Sequence, residues 1–175
     1  MRWSKLKQRI EEGFANSVRG RVEIWTTRYR HAHDQEGEAW ITIDGERLHS
    51  MGTMRFYNDE WEAIGRPDYS AGERPLRAWG EVEAELNAKG SMGLWSVNTA
   101  LFNYLSLPIE EVLSSDVALV RGIGMLDRRL GKRRLIGIDT SNSPDFVQEL
   151  HRFRCEAERV ELRRPPLIAE AGRPI

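Results

Sequence analysis

A single cysteine, Cys155, stands in 175 residues, so no internal disulfide can form and the chain must be held by its own core. No uninterrupted apolar run approaches the roughly 20 residues that a membrane helix needs, and no apolar signal-peptide core follows Met1. A cytoplasmic, reducing setting with no membrane contact is the expectation. Catalytic signatures are missing as well. There is no Gly-x-Ser-x-Gly elbow, no Gly-x-x-x-x-Gly-Lys-Ser/Thr phosphate loop and no zinc signature. Gly122-Ile-Gly124 is a poor dinucleotide fingerprint because no strand precedes it, and Cys155 beside Arg154 lies in a helical pattern without catalytic context. No cofactor is expected, and an enzyme is the less favoured class.

What is present is enough to fold. Six tryptophans and 40% hydrophobic residues allow burial sufficient to offset conformational entropy, and the length suits one compact unit. The net charge is −1, but its distribution is uneven. Residues 1–30 carry 8 basic and 3 acidic side chains, residues 31–115 carry 6 and 15, and residues 116–175 carry 12 and 9. Basic ends packing on an acidic middle is one reading, and a dipolar surface steering a charged partner is the other.

The strongest packing signal and the strongest charge signal coincide between Asp116 and Leu135. Leu119, Ile123, Leu126 and Leu130 recur at helical spacing as an apolar stripe. Arg121, Arg128 and Lys132 fall on the opposite side, with Arg129, Arg133 and Arg134 adding positive charge near the carboxyl end. The spacing predicts a helix from Ser115 or Asp116 to Gly131, with Gly131 as a left-handed stop. Gly122 and Gly124 inside it suit close helix packing.

Elsewhere the chain predicts an amphipathic helix from Arg2 to Ser17, with Trp3, Leu6, Ile10 and Phe14 on one side. Arg21 to Ala32, Ala39 to Ile43 and Glu46 to Ser50 read as three antiparallel strands. Asp34-Gln-Glu-Gly37 makes the first loop and Asp44-Gly45 a two-residue hairpin turn. In the resulting register Ile41 lies opposite Leu48 on the buried face. The other face aligns His31, Trp40 and His49, with Tyr29 and Thr42 beside them and His33 facing Glu38. A helix is predicted from Met54 to Ile64, and Gly65 to Gly72 is an irregular connection. Helices follow over Leu76 to Lys89 with Leu76, Trp79, Val82 and Leu86 inward, over Met92 to Leu105 with Ser91 as cap, from Pro108 to Leu113, and from Pro144 onward. The domain expectation is an α-βββ-α subdomain at 1–65, a helical subdomain packed on it at 66–162, and an extended or mobile tail at 163–175. The fold class is α+β: an N-terminal helix on a three-stranded antiparallel sheet, followed by a helical subdomain.

Met1-Arg-Trp-Ser-Lys-Leu-Lys7, Gly20-Arg-Val-Glu23, Ala39-Trp-Ile-Thr-Ile-Asp-Gly45 and Leu126-Asp-Arg-Arg-Leu-Gly-Lys-Arg-Arg-Leu135, in that order, resemble a family of small uncharacterised bacterial proteins. The resemblance spans most of the chain. It implies a bacterial cytosolic origin and carries over no catalytic residue.

Two surfaces are candidates for function. The basic one comprises Arg121, Arg128, Arg129, Lys132, Arg133 and Arg134. It is read as internal struts bound by Asp127 and the acidic helices, as a protein-binding surface, or as phosphate contacts to nucleic acid. The sheet-face one comprises Tyr29, His31, Trp40 and His49. His31, His33 and His49 with Glu38 or Asp34 are metal-ligand types, but their spacing matches no known site and no metal is assigned. The favoured function is a non-enzymatic protein-interaction or regulatory module with an unidentified protein partner. A nucleic-acid-associated protein using residues 121–134, and a hydrolase or metal-dependent enzyme using the sheet histidines, are the alternatives.

Overall fold

In the computed structural model, which describes residues 2–30 and 36–160, one helix leads into a three-stranded antiparallel sheet and then a run of helices. This is the α+β arrangement expected. Helix α1 (Trp3–Glu12) precedes β1 (Val22–Arg28), β2 (Gly37–Ile43) and β3 (Glu46–Gly52), which lie side by side in chain order. The helices that follow are α2 (Thr53–Ala63), α3 (Trp79–Lys89), α4 (Leu94–Tyr104), α5 (Ile109–Leu113), α6 (Ala118–Leu126), α7 (Lys132–Ile136) and α8 (Asp145–Ala157). His31, His33 and the 163–175 tail lie outside the described residues.

Helix α1 ends at Glu12 rather than Ser17. Beyond it the backbone finds partners far along the chain. Ala15 N–H donates to the Leu126 carbonyl at 2.8 Å and Arg128 N–H to the Gly13 carbonyl at 2.9 Å, so a tertiary bridge takes the place of another helical turn. The helix packs along β1, an edge strand, where the Glu11 carboxylate accepts from Ile24 N–H at 2.9 Å. That contact satisfies a backbone donor which an open sheet edge would leave unpaired.

The Asp44-Gly45 turn forms as expected, with both residues at positive φ, 50° and 86°, the backbone of a tight hairpin whose twist matches its strands. The register beyond it does not. Ile43 pairs with Glu46 and Thr42 with Arg47, but Ile41 then pairs with His49 across a bulge. Leu48 is the extra residue, and the expected Ile41–Leu48 pairing is lost. A bulge places two residues opposite one, and here it swings His49 onto the inner face with Ala39, Ile41 and Met51. On that face the imidazole stacks on Phe146 with ring centroids 4.1 Å apart.

The core cluster draws on the inner sheet face, α1, α4, α5, α6 and α8. Helix α6 lies at its centre and meets α3, α4, α5 and α8. Of its nine residues all but Arg121 are buried, so the helix is apolar all round instead of presenting one stripe with a basic back. Gly122 and Gly124 allow this density, as the sequence led us to expect. A Cβ at Gly122 would stand 3.0 Å from the Phe146 ring, and one at Gly124 would stand 2.5 Å from a Val112 methyl.

Helix α6 also ends early. Asp127 is extended, at φ −64° and ψ 132°, and Gly131 is extended at φ −73°, opening α7 instead of stopping a helix in the left-handed region. In α3, Val82 points inward, but Leu76 precedes the helix at 83% exposure and Trp79 is exposed. Ser91 caps nothing, and its hydroxyl instead reaches the Asp59 carboxylate at 2.6 Å.

Candidate functional site

The basic stretch between Arg121 and Arg134 is mostly engaged in holding the fold. Arg121 donates to the carbonyls of Ser115 and Ala88. Arg129 clasps Asp127 through Nε and Nη2, and its Nη1 reaches the Leu107 carbonyl at 2.7 Å. Lys132 pairs with Glu158 at 3.0 Å and Arg134 with Glu110 at 3.0 Å. Arg128 and Arg133 are exposed and make no side-chain ion pair with a described residue. The six residues therefore do not form one free cationic face.

The sheet-face set is not brought together either. Trp40 stays on the outer face, opposite Ser50, with the Arg47 guanidinium 4.4 Å above its ring. His49 is on the inner face, where its Nε2–H donates to the Gly90 carbonyl at 2.9 Å. Burial pushes the His49 pKa down, against the Gly90 hydrogen bond, and Arg55 adds to the lowering. Gly90 fits this contact because it sits at φ +88°, and a Cβ there would meet the Phe146 ring at 2.6 Å. Tyr29 stands beside Glu38, and burial together with that carboxylate raises its hydroxyl pKa. His31, His33 and Asp34 lie outside the described residues. Among the described residues no three His, Cys, Asp or Glu side chains converge as a metal site.

Cys155 has a histidine neighbour that the sequence did not single out. His151 Nε2 is 3.7 Å from Cys155 Sγ, but it bonds the Leu135 carbonyl at 2.8 Å. A carbonyl only accepts, so that nitrogen carries the proton and does not draw one from the thiol. Burial raises the Cys155 pKa, and the pair has the character of a core contact rather than of an activated nucleophile.

The feature that the sequence reading missed is a groove between α2, the start of α4 and α3. It encloses about 530 Å³, within the range of small-ligand and side-chain pockets. Phe56, Tyr57 and Trp95 supply aromatic walls, and Glu36, Glu60 and Glu83 supply carboxylates. Among the described residues no lysine, arginine or histidine lines it. The Glu83 carboxylate accepts from the Ser96 hydroxyl at 3.3 Å, and Thr53 Oγ1 accepts from the N–H groups of Gly37 and Leu94, tying sheet to helix beneath the groove. Burial raises the Glu60 pKa, and Glu83 nearby raises it further. Trp95 is 63% exposed, and Tyr57, Met54, Trp61, Tyr69, Trp79 and Phe102 are exposed as well. The signal available beforehand was the spacing of Met54, Tyr57 and Trp61 along one helix face, which reads equally well as core.

Fold and groove define a small α+β protein with an aromatic, acidic concavity set on helices. The chain belongs to the SF0329 protein family, whose model matches residues 2–155. No curated protein and no solved structure matches the chain. Among the described residues no helix is long and apolar enough to cross a membrane.

Proposed function

We propose that this SF0329 family protein is a non-enzymatic recognition module whose α2–α4 groove receives an arginine- or lysine-bearing segment of a protein partner. The observation that carries the reading is the juxtaposition of Phe56, Tyr57 and Trp95 with three carboxylates that have no ion-pair partner among the described residues. A cation is attracted both to an aromatic face and to carboxylates, and each attraction strengthens as water is excluded. Most of the basic stretch around 121–134 is tied to carboxylates and carbonyls, which favours protein recognition over nucleic-acid binding there. A bacterial cytoplasmic setting rests on the sequence resemblance and on the lack of cysteines for a disulfide.

Titration of the protein with a fluorescent Arg/Lys-rich peptide and with an acidic peptide of equal length tests the proposal. Only the basic peptide should bind. Trp95→Ala and the double change Glu60→Gln/Glu83→Gln should each weaken it by about tenfold, equivalent to ~1.4 kcal/mol, with the thermal midpoint unchanged. Since burial and Glu83 keep the Glu60 carboxyl protonated to higher pH than usual, affinity should rise with pH as Glu60 ionises. Equal binding of both peptides, or capture of partners that nuclease treatment abolishes, would reject the reading.

A further inference from the structure

At the opposite end of α4 from the groove lies a second concavity, built by the end of α1, Tyr104 and Leu105, and the Asp127–Arg129 turn. We infer that it is a binding site for a phosphate-bearing small molecule. The site encloses about 640 Å³, and among the described residues its charged lining is Arg9, Glu12, Arg19, Asp127, Arg128 and Arg129. Four guanidiniums thus face two carboxylates, leaving an excess of two positive charges that a phosphate monoester dianion would neutralise.

The four arginines fall into two kinds. Arg19 is anchored through Nη2 to the carbonyls of Glu12 at 2.8 Å and Phe14 at 3.1 Å. Arg129 is anchored on Asp127, which also accepts from the Tyr104 hydroxyl at 2.6 Å and from Arg129 N–H at 2.8 Å. These two make a fixed wall. Arg9 and Arg128 make no side-chain hydrogen bond or ion pair with a described residue, so both are available to close on a ligand. They are held near each other by backbone, since Arg128 N–H donates to the Gly13 carbonyl and Phe14 bridges Asp127. A preformed wall lowers the ordering cost of binding. The planar guanidinium fork matches phosphate oxygens, which two free arginines can grip from different sides. Tyr104 is 2% exposed and offers no stacking surface for a base, so the geometry favours a compact phosphate ester over a nucleic-acid strand.

The site shares no lining residue with the groove, and the two proposals stand independently. Calorimetric titration with inorganic phosphate and with phenyl phosphate, at constant ionic strength and with chloride as control, tests the inference. Saturable binding is expected, with a thermal midpoint that climbs with ligand concentration. Affinity should fall as pH drops through about 6, where a phosphate monoester loses its second charge. The variant Arg9→Gln/Arg128→Gln changes two unengaged side chains and should keep its ligand-free midpoint, lose phosphate binding by at least about tenfold, and bind the basic peptide as before. No phosphate-specific binding would overturn the inference. So would retention of binding in the double variant, or binding of a single-stranded oligonucleotide with steep salt dependence while free phosphate binds not at all.

Discussion

Asp127 shows how one side chain can decide what its neighbours are free to do. Burial alone would raise its carboxyl pKa, but hydrogen bonds from Arg129 and Tyr104 outweigh that and hold it below the ordinary carboxylate range. A lowered folded-state pKa means that the stabilisation is present above the unfolded value of about 3.9 and is lost as pH falls through the folded value. Tyr104→Phe removes one donor to a buried charge and should cost about 1.5 to 3 kcal/mol in urea unfolding at pH 7. The cost should shrink in acid as Asp127 takes up a proton. An internal partnership of Asp127 with the arginines is one of three readings the sequence allows, and among those arginines it is Arg129 whose side chain bonds Asp127. The sequence did not point to Tyr104, because that contact joins residues 23 positions apart, beyond the reach of any local spacing rule.

At the scale of elements, periodicity identified helices and strands well and their edges less well. The hairpin turn was legible because Asp-Gly demands a particular backbone. The bulge at Leu48 was not, since nothing local distinguishes Leu48 from His49 until the Gly90 carbonyl and Phe146 are in place to receive the imidazole. Helix α6 was legible as an apolar helix with glycines for close approach, but its burial on all sides depends on α3, α5 and α8 arriving from elsewhere. Gly124→Ala should therefore destabilise by about 1 to 3 kcal/mol, because the added methyl overlaps Val112 by more than flexible repacking absorbs. Gly80→Ala in α3 is the opposite case. Nothing lies within 4 Å of its Cβ position, so the gain in helix propensity should stabilise, by less than the roughly 0.5 to 1 kcal/mol of a mid-helix exchange because Gly80 lies in the first turn. Thermal or urea midpoints of the two variants should move in opposite directions.

Over the whole molecule, the sheet and the helical layers are joined at His49, and the junction has a pH dependence of definite sign. Its pKa is lowered chiefly by burial, with Arg55 contributing and the Gly90 bond opposing. Lys89 and Asp145 line the adjacent cavity. The unfolded chain takes up this proton first as pH falls, so stability should be full above about 6.5 and decline below it. The decline between pH 7.5 and 5.5 should be shallower in His49→Phe, whatever that change does to the midpoint itself. The groove was the least legible part, because aromatic residues at helical spacing describe a core and a binding face alike, and only the placement of α2 against α4 separates them. That same placement has a spectroscopic consequence. None of the six tryptophans is buried: Trp25, Trp61, Trp79 and Trp95 are exposed, and Trp3 and Trp40 are half-covered. Indole emission therefore comes from partly wetted surroundings in the native state, with Trp95 at 63% the most exposed of the six. With Trp95 standing in the groove, a share of the protein's intrinsic light is a gauge of what touches that surface.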